Sequence, residues 1–179
     1  MDNNIKWEWI KAKDFIDFNP KEVMQKGIIS KKIAMDKLEP HSKEIIGYDN
    51  EPFNGGTKFK NGDTLMARIT PCLENGKIAY VDFLDDDELA FGSTEFIVLR
   101  EKENISDKNF IYYLAISDFF KKPAEKSMMG SSGRQRVQTN VLKELEIKVP
   151  DLNTQKKISS ILSYFDNLIK LNKKINHNL

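Results

Sequence analysis

Between residues 154 and 179 the apolar positions return at alternating steps of three and four: Ile158, Ile161, Phe165, Leu168, Ile175 and Leu179, with Asn172 filling one place in the series. That spacing is the heptad of a helix that pairs along one stripe. Pro150 stands before it, and Asn153 or Thr154 is placed to cap its start. A helix over this stretch is roughly 39 Å long at about 1.5 Å per residue. Its stripe requires a cover, which is either the chain's own N-terminal part or another protein. Asn172 points to the second, because one polar residue at a core heptad position fixes register and orientation between helices at some cost in stability.

At 179 residues the chain is long enough for one core of ordinary size with a small appendage, and 40% hydrophobic with 31% charged residues reads as globular. The single Cys72 forms no internal disulfide, and no apolar run reaches the length of a membrane span. The expected compartment is therefore cytoplasmic. A net charge of +1 excludes a purely electrostatic polyanion binder, so charge placement matters more than the sum. Residues 82 to 88 gather Asp82, Asp85, Asp86, Asp87 and Glu88. By contrast, Lys121, Lys122, Lys126, Arg134, Arg136, Lys143 and Lys148 form a basic stretch, either phosphate-facing or simply solvated.

An aromatic opening (Trp7, Trp9, Ile10, Phe15, Ile16, Phe18) leads into a strand-rich body, with strands expected over Lys77 to Phe83 and Phe96 to Leu99. Gly55-Gly56 and Asn61-Gly62 mark turns, Asn75-Gly76 reads as a two-residue hairpin turn, and hairpins are expected to dominate residues 50 to 100. From Asp107 a helix with one apolar face (Phe110, Tyr113, Leu114, Phe119, Phe120) is expected to end before Pro123. Met128 to Arg136 is a small-residue loop closing on two arginines, and Val141 to Val149 is strand-like.

Catalytic sets are thin. His41 and His177 lack metal-ligand spacing, and Cys72 reads as a small buried hydrophobe rather than a nucleophile. Glu146-Ile147-Lys148 matches half of a metal-dependent nuclease site without the partner carboxylate that such a site needs. No nucleotide-binding glycine loop occurs, and Asn19-Pro20 lacks the aromatic continuation of an amino-methyltransferase motif. No metal site is expected, and a binding protein fits better than an enzyme.

The order of several short pieces is more specific: Gly62-Asp63-Thr64-Leu65, Ala67-Arg68-Ile69-Thr70-Pro71, Asn75-Gly76-Lys77, then Gly92-Ser93-Thr94-Glu95 running into Phe96 to Arg100. Phe110 to Leu114, the Gly133 loop, Leu145 to Pro150 and Gln155-Lys156-Lys157-Ile158 follow. The series resembles the specificity subunit of type I restriction-modification systems. That resemblance implies an α+β chain, with a mainly β DNA target recognition domain over 1–150 and a coiled-coil-forming spacer and dimerisation helix over 151–179. It implies no catalysis in this chain. S-adenosylmethionine, ATP and Mg would belong to partner methyltransferase and restriction/translocase subunits. Such subunits usually hold two recognition domains and two helices, whereas this sequence holds one of each. Self-association, or pairing with an equivalent half-subunit, through Ile158, Ile161, Phe165, Leu168, Asn172 and Ile175 would restore the pair.

Physical reading points the same way. Phosphate contacts position a protein on double-stranded DNA while loop side chains read base edges. Arg134, Gln135 and Arg136 are the foremost candidate readers, since arginine grips guanine and glutamine grips adenine bidentately. Arg68 is a further candidate at a strand end, with a structural salt bridge as the alternative. Lys77, Ser93 and Thr94 are candidate phosphate donors. The contrasting readings are a coiled-coil scaffold without DNA, and a recognition domain from another class of restriction-modification enzyme.

Overall fold

A computed structural model describes residues 6–177. The centre is an antiparallel sheet of β2 (Ile16–Phe18), β9 (Phe96–Glu101), β6 (Thr64–Ala67) and β7 (Ile78–Tyr80), in that spatial order. Its two middle strands are covered on both sides. Leu65 and Val98 face a second sheet, and Met66, Ile97 and Leu99 face helices. That explains the unbroken apolar run Phe96 to Leu99, all of it buried. A strand covered on both faces has no reason to alternate.

The second sheet is mixed, in the order β4 (Asp49–Pro52), β3 (Ile29–Ile33), β8 (Leu89–Gly92) and β5 (Thr57–Lys60). Here β3 and β8 run parallel. They approach so closely at Gly92 that a Cβ there would collide with the Ile33 carbonyl oxygen. The layer between the sheets is Ile33, Leu38, Phe59, Leu65, Ala79, Val81, Ala90, Phe96 and Val98. Fully burying a side chain such as Leu or Phe contributes about 1.5–3 kcal/mol, so this layer holds the two sheets as one body. A third, two-stranded sheet pairs β1 (Trp7–Lys11) with β10 (Glu146–Pro150).

Helices cover the other face. The short α1 (Ala12–Phe15) links β1 to β2, and α2 (Lys108–Ile116), α3 (Asp118–Lys126) and α4 (Thr139–Glu144) follow the central sheet in sequence. The last element, α5 (Leu152–His177), runs 26 residues.

Several sequence expectations are corrected. Hairpins do not dominate residues 50 to 100: only β6 and β7 are consecutive partners there, while β5 pairs β8 and β6 pairs β9 across intervening strands. Asn75-Gly76 is not a two-residue hairpin. It closes a helical turn in which Asn75 N–H donates to Pro71 O at 2.9 Å and Lys77 N–H to Cys72 O at 3.0 Å. The helix after Asp107 does end before Pro123, but short of Phe119 and Phe120 and not because of the proline. It breaks at Ser117, whose backbone is extended (ψ 149°) and whose Oγ donates to Leu114 O at 2.6 Å, and Pro123 lies inside α3. Residues 141–144 are helical, so only the end of Val141 to Val149 is strand. The cap of α5 is Asp151, whose carboxylate accepts from Thr154 N at 3.0 Å and Thr154 Oγ1 at 2.8 Å. Asp and Thr both cap well, and the preceding carboxylate takes the position.

Candidate nucleic-acid interface and helix face

Three loops far apart in sequence meet at one end of the central sheet. The first follows β6 (residues 68–77), the second is the short link Ser93–Glu95 between β8 and β9, and the third is the 128–136 loop before α4. Backbone bonds lock them together. Arg68 N–H donates to Glu95 O at 2.9 Å, Val137 N–H to Arg68 O at 2.8 Å, and Thr70 N–H to Gln135 O at 3.0 Å. The third loop is not loose at its base, because Met129 and Arg136 exchange both backbone bonds, at 3.0 and 2.8 Å. Gly130 allows that closure with φ at 134°, where an added Cβ would press on the Arg134 carbonyl.

This arrangement gathers Arg68, Ser93, Thr94, Arg134, Gln135 and Arg136, drawn from three separate stretches of sequence. Arg134 and Thr94 are exposed, and Arg68, Ser93, Gln135 and Arg136 are half-buried. A residue that the sequence offers only as part of a motif, and not as a site residue, stands among them: Glu95 accepts from Arg136 Nε at 2.9 Å and Nη2 at 2.6 Å, and lies 3.9 Å from Arg68 Nε. The Arg68 Nε is buried without a hydrogen-bond partner among the described residues. The salt-bridge alternative for Arg68 is thus partly realised, with the closer pair falling to Arg136. Ser93 Oγ accepts from Glu95 N at 3.1 Å, which fixes the turn. Lys77 stands apart. Its ammonium donates to Met35 O at 3.0 Å, so the group intended for phosphate is already engaged.

The basic stretch is spread over several elements. Its residues are dealt out among α3, the 128–136 loop, α4 and β10; Lys121 pairs with Glu125 and Lys122 with Asp118 one helical turn away. The acidic run supplies Glu88 to Lys31 at 2.8 Å. Glu146 and Lys148 do share the exposed face of β10, but Lys148 lies 6.0 Å above the Trp9 ring. Cys72 is half-buried against the core. Among the described residues, no three His, Cys, Asp or Glu side chains converge as a metal site would require, and no helix is long and apolar enough to cross a membrane.

The helix α5 folds back on its own domain and still leaves its heptad open. The contact is made by the polar face. Gln155, 1% exposed, donates to Ile105 O at 3.1 Å and Pro150 O at 2.9 Å and accepts from Asp107 N at 2.9 Å. One turn on, Ser159 donates to Asp107 Oδ1 at 2.7 Å. Next, the Tyr113 hydroxyl donates to Asp166 Oδ2 at 2.5 Å and lies 3.1 Å from Ser163 Oγ. Lys43 arrives from the loop before β4 and donates to Asn109, Tyr113 and Ser163 at 3.1 to 3.2 Å. Its ammonium also lies within 5.3 Å of the ring centres of Tyr80, Tyr112 and Tyr113. Burial pulls its pKa below the ordinary value against the opposing charge of Asp166. Lys170 pairs with Glu44 at 2.7 Å and ends the seam.

On the opposite side of the helix, Ile161 is 60% exposed, Phe165 55%, Leu168 38% and Ile175 50%, with Asn172 exposed among them. Ile158 differs: it is half-buried and packs against the domain's own core. Leu179 lies outside the described residues. The polar seam had a readable signal, since residues 155, 159, 163, 166 and 170 are spaced by three and four.

With this geometry in view, the sequence matches the family described as the type I restriction modification DNA specificity domain over residues 4–179. It is 29% identical over 157 residues to the type I restriction enzyme EcoAI specificity subunit of Escherichia coli, covering 85% of this chain and 26% of that protein. To the type I restriction enzyme MjaVIII specificity subunit of Methanocaldococcus jannaschii it is 29% identical, covering 94% and 41%. The fold is similar to that of the HsdS subunit from Thermoanaerobacter tengcongensis, with a TM-score of 0.75 at 18% identity, over 96% of this chain and 45% of that one. A type I restriction-modification S subunit from M. genitalium aligns with a TM-score of 0.57 at 20% identity, over 99% and 46%. The chain thus spans less than half the length of each of these relatives. The match along nearly the whole sequence, on a strand-rich α+β body ending in one long helix, places this chain in the family of type I restriction-modification DNA specificity domains.

Proposed function

We propose that this chain reads one half of a bipartite DNA site and, through α5, joins the assembly that methylates or cuts that DNA. The observation that carries the proposal is the convergence of three loops that bring Arg68, Thr94, Arg134, Gln135 and Arg136 to one end of a rigid sheet. Base-reading side chains need such a platform, because a reader displaced by an ångström loses its bidentate geometry. Phosphate contacts from Thr94 and Arg134 would set the position, while Gln135 and Arg136 would read base edges. The chemistry of methyl transfer and cleavage would lie in partner methyltransferase and restriction/translocase subunits, which would bring S-adenosylmethionine, ATP and Mg. Several of these relatives are named as restriction-enzyme specificity subunits, which supports that division of labour.

The test is selection from a pool of duplexes with a randomised core, with and without the methyltransferase subunit. A recovered motif supports the reading, and recovery of no preferred sequence in either condition removes it. The exposed apolar stripe of α5 also suits a scaffold without DNA affinity. Variants of the stripe that lose self-association while leaving no DNA binding to measure would favour that alternative.

A further inference from the structure

We infer that Glu95 is a specificity-determining positioning residue, a buttress that holds Arg136 as a reader of one base and away from phosphate. The inference rests on the proposed reading of DNA at this face. Glu95 grips Arg136 from the side, through Nε at 2.9 and 3.0 Å and Nη2 at 2.6 Å. A guanidinium has five N–H groups. This side-on grip uses Nε–H and one hydrogen of Nη2, leaving both hydrogens of Nη1 and the second of Nη2. Those remaining hydrogens form the end-on fork that matches guanine O6 and N7.

Both members are anchored through the backbone. Glu95 is held by Arg68 N–H on its carbonyl at 2.9 Å and by Ser93 Oγ on its own N–H at 3.1 Å, and Arg136 by its exchange with Met129. The side chain of Glu95 is 24% exposed and that of Arg136 42%, so the carboxylate lies deeper and the guanidinium further out. A phosphate oxygen would compete for the same Nε and Nη2 edge, but Glu95 occupies that edge and repels the incoming charge. Arg68 Nε, 3.9 Å from the same carboxylate and otherwise without a partner among the described residues, comes under the same control. Without Glu95 two arginines would face DNA uncompensated. Binding would strengthen everywhere and discriminate less.

The experiment uses the full chain with a randomised duplex pool, followed by titration of the recovered duplex and a scrambled one. The variants are Glu95→Gln, nearly isosteric, and Arg136→Lys, which keeps the charge and loses the fork. In Glu95→Gln, preference at one base pair should fall by about 10-fold, affinity for the scrambled duplex should rise, and its salt slope should steepen by about one. Arg136→Lys should lose preference at that same base pair with scrambled-DNA affinity unchanged, and the double variant should match it in preference while its scrambled-DNA affinity rises as in Glu95→Gln. Unaltered preference at every position in Glu95→Gln with a wild-type thermal midpoint overturns the buttress, as does a full motif retained by Arg136→Lys. A wild-type chain that selects no motif instead defeats the underlying DNA reading.

Discussion

Arg134 and Arg136 stand two residues apart on one loop, yet their surroundings separate their roles. Arg134 is exposed at the tip and, among the described residues, has no ion-pair partner, which suits phosphate. Arg136 is tied at the base to Glu95. Arg134→Ala should weaken specific and scrambled DNA alike and lower the salt slope by about one. Arg136→Ala should instead cost about 1–3 kcal/mol of discrimination at one base pair. Parallel titrations over a salt series distinguish the two, and equal behaviour of the variants would reject the division. The arginines were legible in sequence because their chemistry marks them and the glycines announce a loop. Glu95 was not. It stands 41 residues from Arg136 in sequence, and a carboxylate earns no attention as a DNA ligand until the fold shows what it holds.

At the scale of elements, α5 is visible as a helix and as a heptad, but apolar periodicity takes no account of polar packing, so its docking face is legible only in the three-and-four spacing of its polar residues. Gln155 is the clearest case. Its side chain satisfies Asp107 N, Ile105 O and Pro150 O at once, so Gln155→Ala leaves buried backbone groups unpaired and should cost about 1–3 kcal/mol. Urea unfolding followed by circular dichroism measures it, and a loss below a few tenths would show that the polar seam contributes little. A second tie joins β1 and α1 to the end of α4. Hydrogen bonds from Lys11 and Lys13 hold the Glu144 carboxyl down to about 2. A carboxyl lowered on folding stabilises above its unfolded pKa and loses that contribution as pH falls from about 4.5 toward 2. Glu144→Gln should therefore lower the thermal midpoint slightly at pH 6 and leave it unchanged at pH 2, the effect being small because the pair is exposed to solvent. A drop of equal size at both pH values would show that charge plays no part. The order of strands was the least legible element property, because β3–β8 and β5–β8 pairings join distant residues and leave no local turn signal.

For the whole molecule, the decisive property is that one helix serves two surfaces: a polar face fixes it to its own domain, and an apolar face points outward. Fixing the first sets the direction in which the second is presented. We expect the stripe to pair antiparallel with an identical or equivalent helix, which sends two recognition domains to opposite ends. With identical chains the DNA site would be two inverted half-sites around a fixed gap, because a two-fold axis in the protein is mirrored in the DNA. The helix, roughly 39 Å long at about 1.5 Å per residue, would set that gap. Phe165 and Leu168 are 55% and 38% exposed, so changing both to glutamate should abolish the dimer and leave the domain folded. Asn172→Leu should tighten association while loosening register or stoichiometry, since a polar group in an apolar seam penalises misaligned pairings more than it stabilises the correct one. Analytical ultracentrifugation of the three forms decides the matter. A wild-type chain that stays monomeric at high concentration, with or without methyltransferase, would leave the outward face without a partner and withdraw the two-fold arrangement of the DNA site that depends on it.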